Sequence, residues 1–169
     1  MPRLPALLRR RRTVRRVRPD GVPDDLIRVL MEAACLAPSA HNAQPWRFVL
    51  VRSAEGRERL ARAMGEAFRA DLAADGLPTA QVEARVSGSV ERLTGAALLV
   101  VACLVPGELQ KYPDAVRQAA EHTLGTQSVA AAVENLLLAA AHLGLGAGWM
   151  CAPLFCPTVV RQALDLPPA

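Results

Sequence analysis

The chain has 169 residues, 51% of them apolar, with a mean hydropathy of +0.17 and a formal net charge of +4. That length suits one domain with a real core, and no run of about eighteen residues is both uncharged and strongly apolar, so no membrane span or membrane partner is expected. The charge is polarised: residues 1–18 hold eight arginines and no acid, which leaves twelve basic against sixteen acidic groups beyond them, a formal −4.

The arginine arm admits several readings: a solvated Arg-biased helix, an anion site, a nucleic-acid arm or a transit peptide. A transit peptide should be Ser-rich, and this arm runs straight into a capped helix. Arginines without interleaved aromatics are poor evidence for nucleic-acid binding, so no nucleic-acid partner is expected. Leu4–Arg12 reads as a short basic helix. In DGVPDDLIRVLMEAACLA, Pro23 stands near a helix start and acids fill the first turn, with Leu26, Ile27, Leu30, Met31 and Ala34 on one face. PSAHNAQP is then a turn dense in side-chain hydrogen-bonding groups, and WRFVLVR a strand. A buried loop must satisfy its polar atoms, so the turn is either well tied or a ligand cradle.

Amphipathic helices follow at roughly 55–74 and 79–93, joined by the turn ADGLP. AALLVVACLV, apolar throughout, suits a central strand covered on both faces. Residues 107–114 form a loop carrying KYPD. From about Ala119 to Leu143 runs a helix of about twenty-five residues, on the order of 35 Å long, and from Val129 to Leu143 it is apolar nearly all round apart from Glu134, Asn135 and His142. It is the expected buried central helix. GAGWMCAPLF reads as a strand entering a loop, and CPTVVRQALDL as a last short helix. The expectation is one α+β domain over residues 1–169, a small mostly antiparallel sheet with helices around it. The apolar surplus suggests burial between subunits. Cysteines 35, 103, 151 and 156 form no CxxC pair and the three histidines have no ligand spacing beside them, so no metal is expected. Cys103 reads as a small buried hydrophobe, and a reducing, cytoplasmic setting is the default.

Three segments, RRTVRRV (11–17), APSAHNAQPWRFV (37–49) and ENLLLAAAHLGLGAGWM, resemble the flavin-dependent nitroreductase family in order and spacing, and together they cover essentially the whole chain. PSxxNxQPW is the most specific of them. RADLAADG, KYPDAVR and AEHT further resemble the flavin-binding C-terminal domain of the bifunctional enzyme that makes the deazaflavin coenzyme F-420. The resemblance implies a homodimer with FMN at the interface, gripped by both subunits.

By that resemblance, Arg11 and Arg12 match the basic pair that holds the FMN phosphate, a task suited to bidentate guanidinium. Thr13 matches a hydroxyl donor to the phosphate or ribityl chain. Arg15 matches the cation near the pyrimidine end of the ring, where charge builds on reduction. Pro38, Ser39, Ala40, Asn42 and Gln44 match the segment that wraps the flavin from the partner subunit; Asn42 can donate and accept at once. His41 is a satisfied loop histidine or a substrate-side donor, and Trp46 packs rather than touching ligand. GWMCAP matches the loop whose backbone N–H groups, at Cys151 and Ala152, meet flavin N5 and the ring edge; alanine at 152 costs little if its φ is negative. No protein nucleophile is required, so the catalytic group is the flavin itself. Arg69, Lys111, Tyr112 and His122 are substrate contacts only by the subgroup resemblance. By the resemblance, relatives continue into a further strand with basic residues; either this sequence is a piece of a longer chain, or Arg9, Arg10 and Arg16 make up that charge.

The implied activity is hydride transfer from reduced FMN, recharged by NAD(P)H or another reductant, to a small-molecule acceptor, a dehydro precursor of coenzyme F-420. The alternatives are a broad NAD(P)H-dependent nitro or enone reductase, and a non-catalytic flavin-binding protein.

Overall fold

In the computed structural model, residues 4–18 and 20–167 are described; Arg3 of the arm and the last two residues of the expected 1–169 domain lie outside them. The arm begins with α1 (Leu4–Arg10) and leads to α2 (Asp24–Cys35). Pro23, φ −58° and ψ 147°, caps α2 from outside, Asp24 and Asp25 occupy its positive end, and Ile27, Leu30 and Ala34 are buried on the expected face. After the 37–45 loop comes β1 (Trp46–Val51), then α3 (Ala54–Ala74), α4 (Thr79–Thr94), β2 (Leu99–Leu104), α5 (Ala115–His142) and α6 (Pro157–Ala163).

β1 and β2 pair antiparallel, Trp46 opposite Leu104 and Val51 opposite Leu99, as a two-stranded sheet. Because side chains alternate across a strand, the sheet serves two cores. Trp46 and Phe48 pack with Ala34, Ala37 and Ala132 between α2 and α5, while Leu99 and Val101 face Leu60, Met64, Leu93 and Val160 of α3, α4 and α6. Trp46 packs as expected; truncating so large a buried side chain costs roughly 3–5 kcal/mol. A third cluster, Leu72, Val82 and Val86, closes the α3–α4 hairpin.

Three expectations are corrected. β2 is not a central strand: helices pack on both of its faces, but among the described residues it pairs with one neighbour only and is half-buried along its whole length. GAGWMCAPLF is not a strand. Only Ala147 bridges, parallel to Thr13, and Ala152–Phe155 is a short 3-10 turn with Pro153 at its start, because proline favours a helical first turn and withholds a ladder donor. Nor is α5 buried all round. It is long and apolar enough to cross a membrane by length and composition alone, yet it docks on α2, α1, β2 and the 40–42 turn, burying Glu121, Gly125, Ser128, Ala132, Leu137 and Ala140. Asn135 Nδ2, donating to the Ala33 carbonyl at 3.1 Å, stitches it to α2. Its remaining apolar side is left half-exposed.

Candidate functional site

Between Ala37 and Pro45, both buried, the backbone turns left-handed three times: φ is 54° at His41, 53° at Asn42 and 46° at Gln44. None is glycine, so each costs on the order of 1–3 kcal/mol, least for asparagine. Such a loop persists only if its surroundings over-determine it. Within the loop, Ser39 Oγ accepts from the Gln44 N–H at 3.0 Å, and the N–H groups of Asn42 and Ala43 reach the carbonyls of Ser39 and Ala40 at 3.1 and 2.9 Å. From α5, Ser128 Oγ accepts the Ala40 N–H at 3.2 Å, and Glu121 Oε2 lies 3.5 Å from His41 Nε2. Gln44 Nε2 donates to Asn42 Oδ1 at 3.4 Å. That leaves the Asn42 amide nitrogen and the Gln44 oxygen side by side on an exposed rim, a donor next to an acceptor. Pro38 is exposed there, with Ser39 and Ala40 half-buried beneath it.

The arm is held separately. Past α1, Thr13 bridges Ala147, and the Val14 N–H donates to the Ala147 carbonyl at 2.9 Å. A side chain at Gly148 would put its Cβ 3.0 Å from the Val14 carbonyl oxygen, so any other residue would push the two segments apart by a few tenths of an ångström. Arg11 is half-buried, with Nε 3.6 Å from Glu134 of α5. Arg12, Thr13 and Arg15 are exposed, and neither Arg12 nor Arg15 has an acidic partner among the described residues. From the bridge the chain runs on to Cys151 and Ala152, whose N–H groups donate to no protein acceptor among the described residues. Ala152 is not left-handed, so alanine is tolerated there. A line of unpaired guanidinium groups and free amide donors is a competent anion and carbonyl cradle.

Among the described residues, no hydrogen bond or ion pair joins the arm to the 37–45 loop. The loop rests on Glu121 and Ser128, the arm on Glu134, farther along the same helix. The subgroup residues lie elsewhere. Arg69 of α3 grips Glu83 of α4 through two bonds of 2.8 and 3.2 Å; this pairing raises the arginine pKa and holds Glu83 below the usual carboxylate range. Lys111 and His122 are exposed. The Tyr112 hydroxyl donates to Gln110 at 2.8 Å, and Arg117 covers one face of its ring at 5.3 Å. Nothing polar links Arg69 to Lys111 or Tyr112 among the described residues.

Two features escaped the sequence reading. One is a groove of about 580 Å³ beside Gln44, between Met31 and Cys35 of α2 and Phe48 and Leu50 of β1, with the 2.8 Å Arg47–Glu108 ion pair at its rim. The other is Glu121 with Ser128, whose signal is no more than a seven-residue spacing that puts both on one helix face; the polar residues around them in AAEHTLGTQS hide it. Burial raises the thiol pKa of Cys103 and Cys156, whereas Cys35 and Cys151 are exposed, and all four thiols are free. No group of three His, Cys, Asp or Glu is placed to hold a metal among the described residues.

Residues 8–169 match the nitroreductase family. The chain is 33% identical over 140 residues to a protein of Archaeoglobus fulgidus described as an NADH dehydrogenase/NAD(P)H nitroreductase, covering 83% of this chain and 62% of that protein's length. It is 35% identical over 166 residues to the 5,6-dimethylbenzimidazole synthase of Rhodospirillum rubrum, covering 97% of this chain and 75% of the relative. Its fold matches the crystal structure of an FMN-dependent nitroreductase of Mycobacterium smegmatis in complex with NADPH, with a TM-score of 0.67 and 26% identity over 95% of this chain and 80% of the other.

Proposed function

The chain belongs to the nitroreductase family, and on that premise we propose that it is an FMN-dependent oxidoreductase drawing electrons from NAD(P)H and working as a homodimer. One observation carries this reading. The Thr13–Ala147 bridge joins the arginine arm to the segment ending in the free N–H groups of Cys151 and Ala152, so phosphate-type cations and ring-edge donors belong to one continuous surface. When bound, FMN supplies a two-electron hydride carrier. The chain's own part is to bind and orient it. Arg12 and Arg15 offer charge to the phosphate and ring, Arg11 is steadied by Glu134, Thr13 adds a hydroxyl, and the Cys151 and Ala152 amides offer two N–H donors to the ring edge. Asn42 and Gln44, which no hydrogen bond or ion pair joins to the arm among the described residues of this protomer, serve the flavin of the partner subunit. Exposed Trp149 (48%), Leu154 (76%) and Phe155 (82%), with the half-exposed side of α5, supply the apolar area a dimer would bury. Four free thiols suit a reducing, cytoplasmic compartment.

For the acceptor, the likeness of RADLAADG and KYPDAVR to the coenzyme F-420 enzyme supports a dehydro deazaflavin, with Lys111 and the open face of Tyr112 receiving it and His41 offered from the 37–45 loop. The R. rubrum 5,6-dimethylbenzimidazole synthase, alike over 97% of this chain, favours a second reading in which the product is a dimethylbenzimidazole. The absorption spectrum of the purified protein tests the cofactor: a flavin band is expected, and its absence after reconstitution with FMN overturns the reading. Turnover of a deazaflavin precursor and a nitroaromatic, assayed side by side with NADH and NADPH, together with a test for 5,6-dimethylbenzimidazole as a product, then separates the readings.

A further inference from the structure

The two buried polar side chains of the described core, Glu121 at 2% exposure and Ser128 at 5%, serve the same loop. They stand seven residues apart on α5, two turns along one stripe, with Gly125 between them. Ser128 Oγ holds the Ala40 N–H at 3.2 Å and donates to its own helix at Leu124 O, 2.8 Å away. Glu121 is shared between two loops: Oε2 lies 3.5 Å from His41 Nε2, and Oε1 accepts the Gln110 N–H at 3.2 Å. Gly125 lets the second loop lie directly on the helix, since a Cβ there would fall 2.8 Å from Leu109 Cδ2 and 3.0 Å from Leu104 Cδ1.

A carboxylate this deeply buried is costly unless partnered. Both of its partners are loop atoms, and α5 itself needs neither. We propose that Glu121 is a positioning residue: through His41 and Gln110 it clamps the left-handed 41–44 loop and the 109–112 loop to α5, presetting the Asn42 and Gln44 amides for the flavin. The assignment rests on the flavin reading above and adds to it that one carboxylate ties the cofactor-wrapping loop to the segment bearing Lys111 and Tyr112. The cost of three left-handed residues is thereby met before ligand arrives, which is what preorganisation requires.

Amide hydrogen exchange of the full-length protein, with FMN titrations alongside, tests this. The amides of Asn42, Ala43 and Gln44 are all bonded inside the loop and report its closure. In Glu121→Leu, an apolar near-isostere that spares the fold the buried charge, their exchange is expected to rise about tenfold while the β1 and β2 amides stay unchanged. The FMN Kd should rise by about the same factor, and Glu121→Gln, whose amide keeps an oxygen to accept from Gln110 and an N–H to face His41 Nε2, should recover most of both. If Glu121→Leu fails to fold, His41→Ala must show the same loop-confined rise. Exchange at 42–44 that is unchanged, or that rises equally in β1, overturns the proposal and leaves Glu121 a core residue. Failure of the wild-type protein to bind FMN would overturn the flavin reading alone, because the exchange contrast needs no ligand.

Discussion

Replacing Arg11 and Arg12 together by alanine should weaken FMN binding far more than riboflavin binding, since only FMN carries the phosphate. A hydrogen bond to a charged group contributes about 1.5–3 kcal/mol, so two would span roughly 3–6 kcal/mol, or about a hundredfold to ten-thousandfold at 1.4 kcal/mol per decade. The surroundings place the expected value at the lower end. Arg12 is exposed and its charge is screened, while Arg11 already spends part of its charge on Glu134, 3.6 Å away. We therefore expect about a tenfold loss for Arg12→Ala and about a hundredfold loss for the double variant. Glu134→Gln should bind FMN at least as tightly as the wild type, because it frees Arg11. Fluorescence titration of each flavin at two salt concentrations is the assay, and the FMN losses should shrink at high salt. Equal losses for FMN and riboflavin, or a Glu134→Gln variant that binds FMN much more weakly, would refute a phosphate role for the arm and return it to a solvated basic helix.

Sedimentation velocity at micromolar concentration should give a dimer that Phe155→Asp or Leu154→Asp shifts toward monomer with loss of flavin; a stable flavin-loaded monomer would contradict the shared site. Charge reversal at Lys111 should raise KM for an anionic deazaflavin while sparing a neutral nitroaromatic, and equal damage to both substrates would favour the broad reductase. The same reversal at Arg69 also sets two acids against each other across α3 and α4, so its melting temperature must be measured before its kinetics are read. Because burial raises the thiol pKa of Cys103 and Cys156, less thiolate forms there at a given pH, and mild alkylation should label exposed Cys35 and Cys151 first. Added FMN should then protect Cys151 but not Cys35; protection of neither would remove the 151–152 loop from the site.

Most of the helices were legible because hydrophobic period and end signals are local. Pro23 with Asp24 and Asp25, the turn at residues 75–78, and the 3.6-residue apolar face of α2 place their elements within a residue or two. Trp46 could be assigned to the core for the same reason, as the first apolar residue of an alternating strand. The supposed strand at 146–151 failed because a strand exists only with a neighbour to pair with, and there the one segment that reaches it, Thr13–Val14, pairs at a single position.

By itself, then, the sequence determined the helical frame, the two paired strands and the chemical character of the site: arginines without acids in the arm, amides and a histidine in the 37–45 loop. Tertiary structure alone decided the backbone of that loop, since no glycine announces three left-handed residues and the groups that hold them, Ser128 and Glu121, come from a helix far along the chain. It alone set Arg11 against Glu134 and brought Arg117 over Tyr112. It alone divided α5 into a face buried by its own chain and a face left half-exposed, because an apolar helix carries in its sequence the need for cover but not the identity of what covers it.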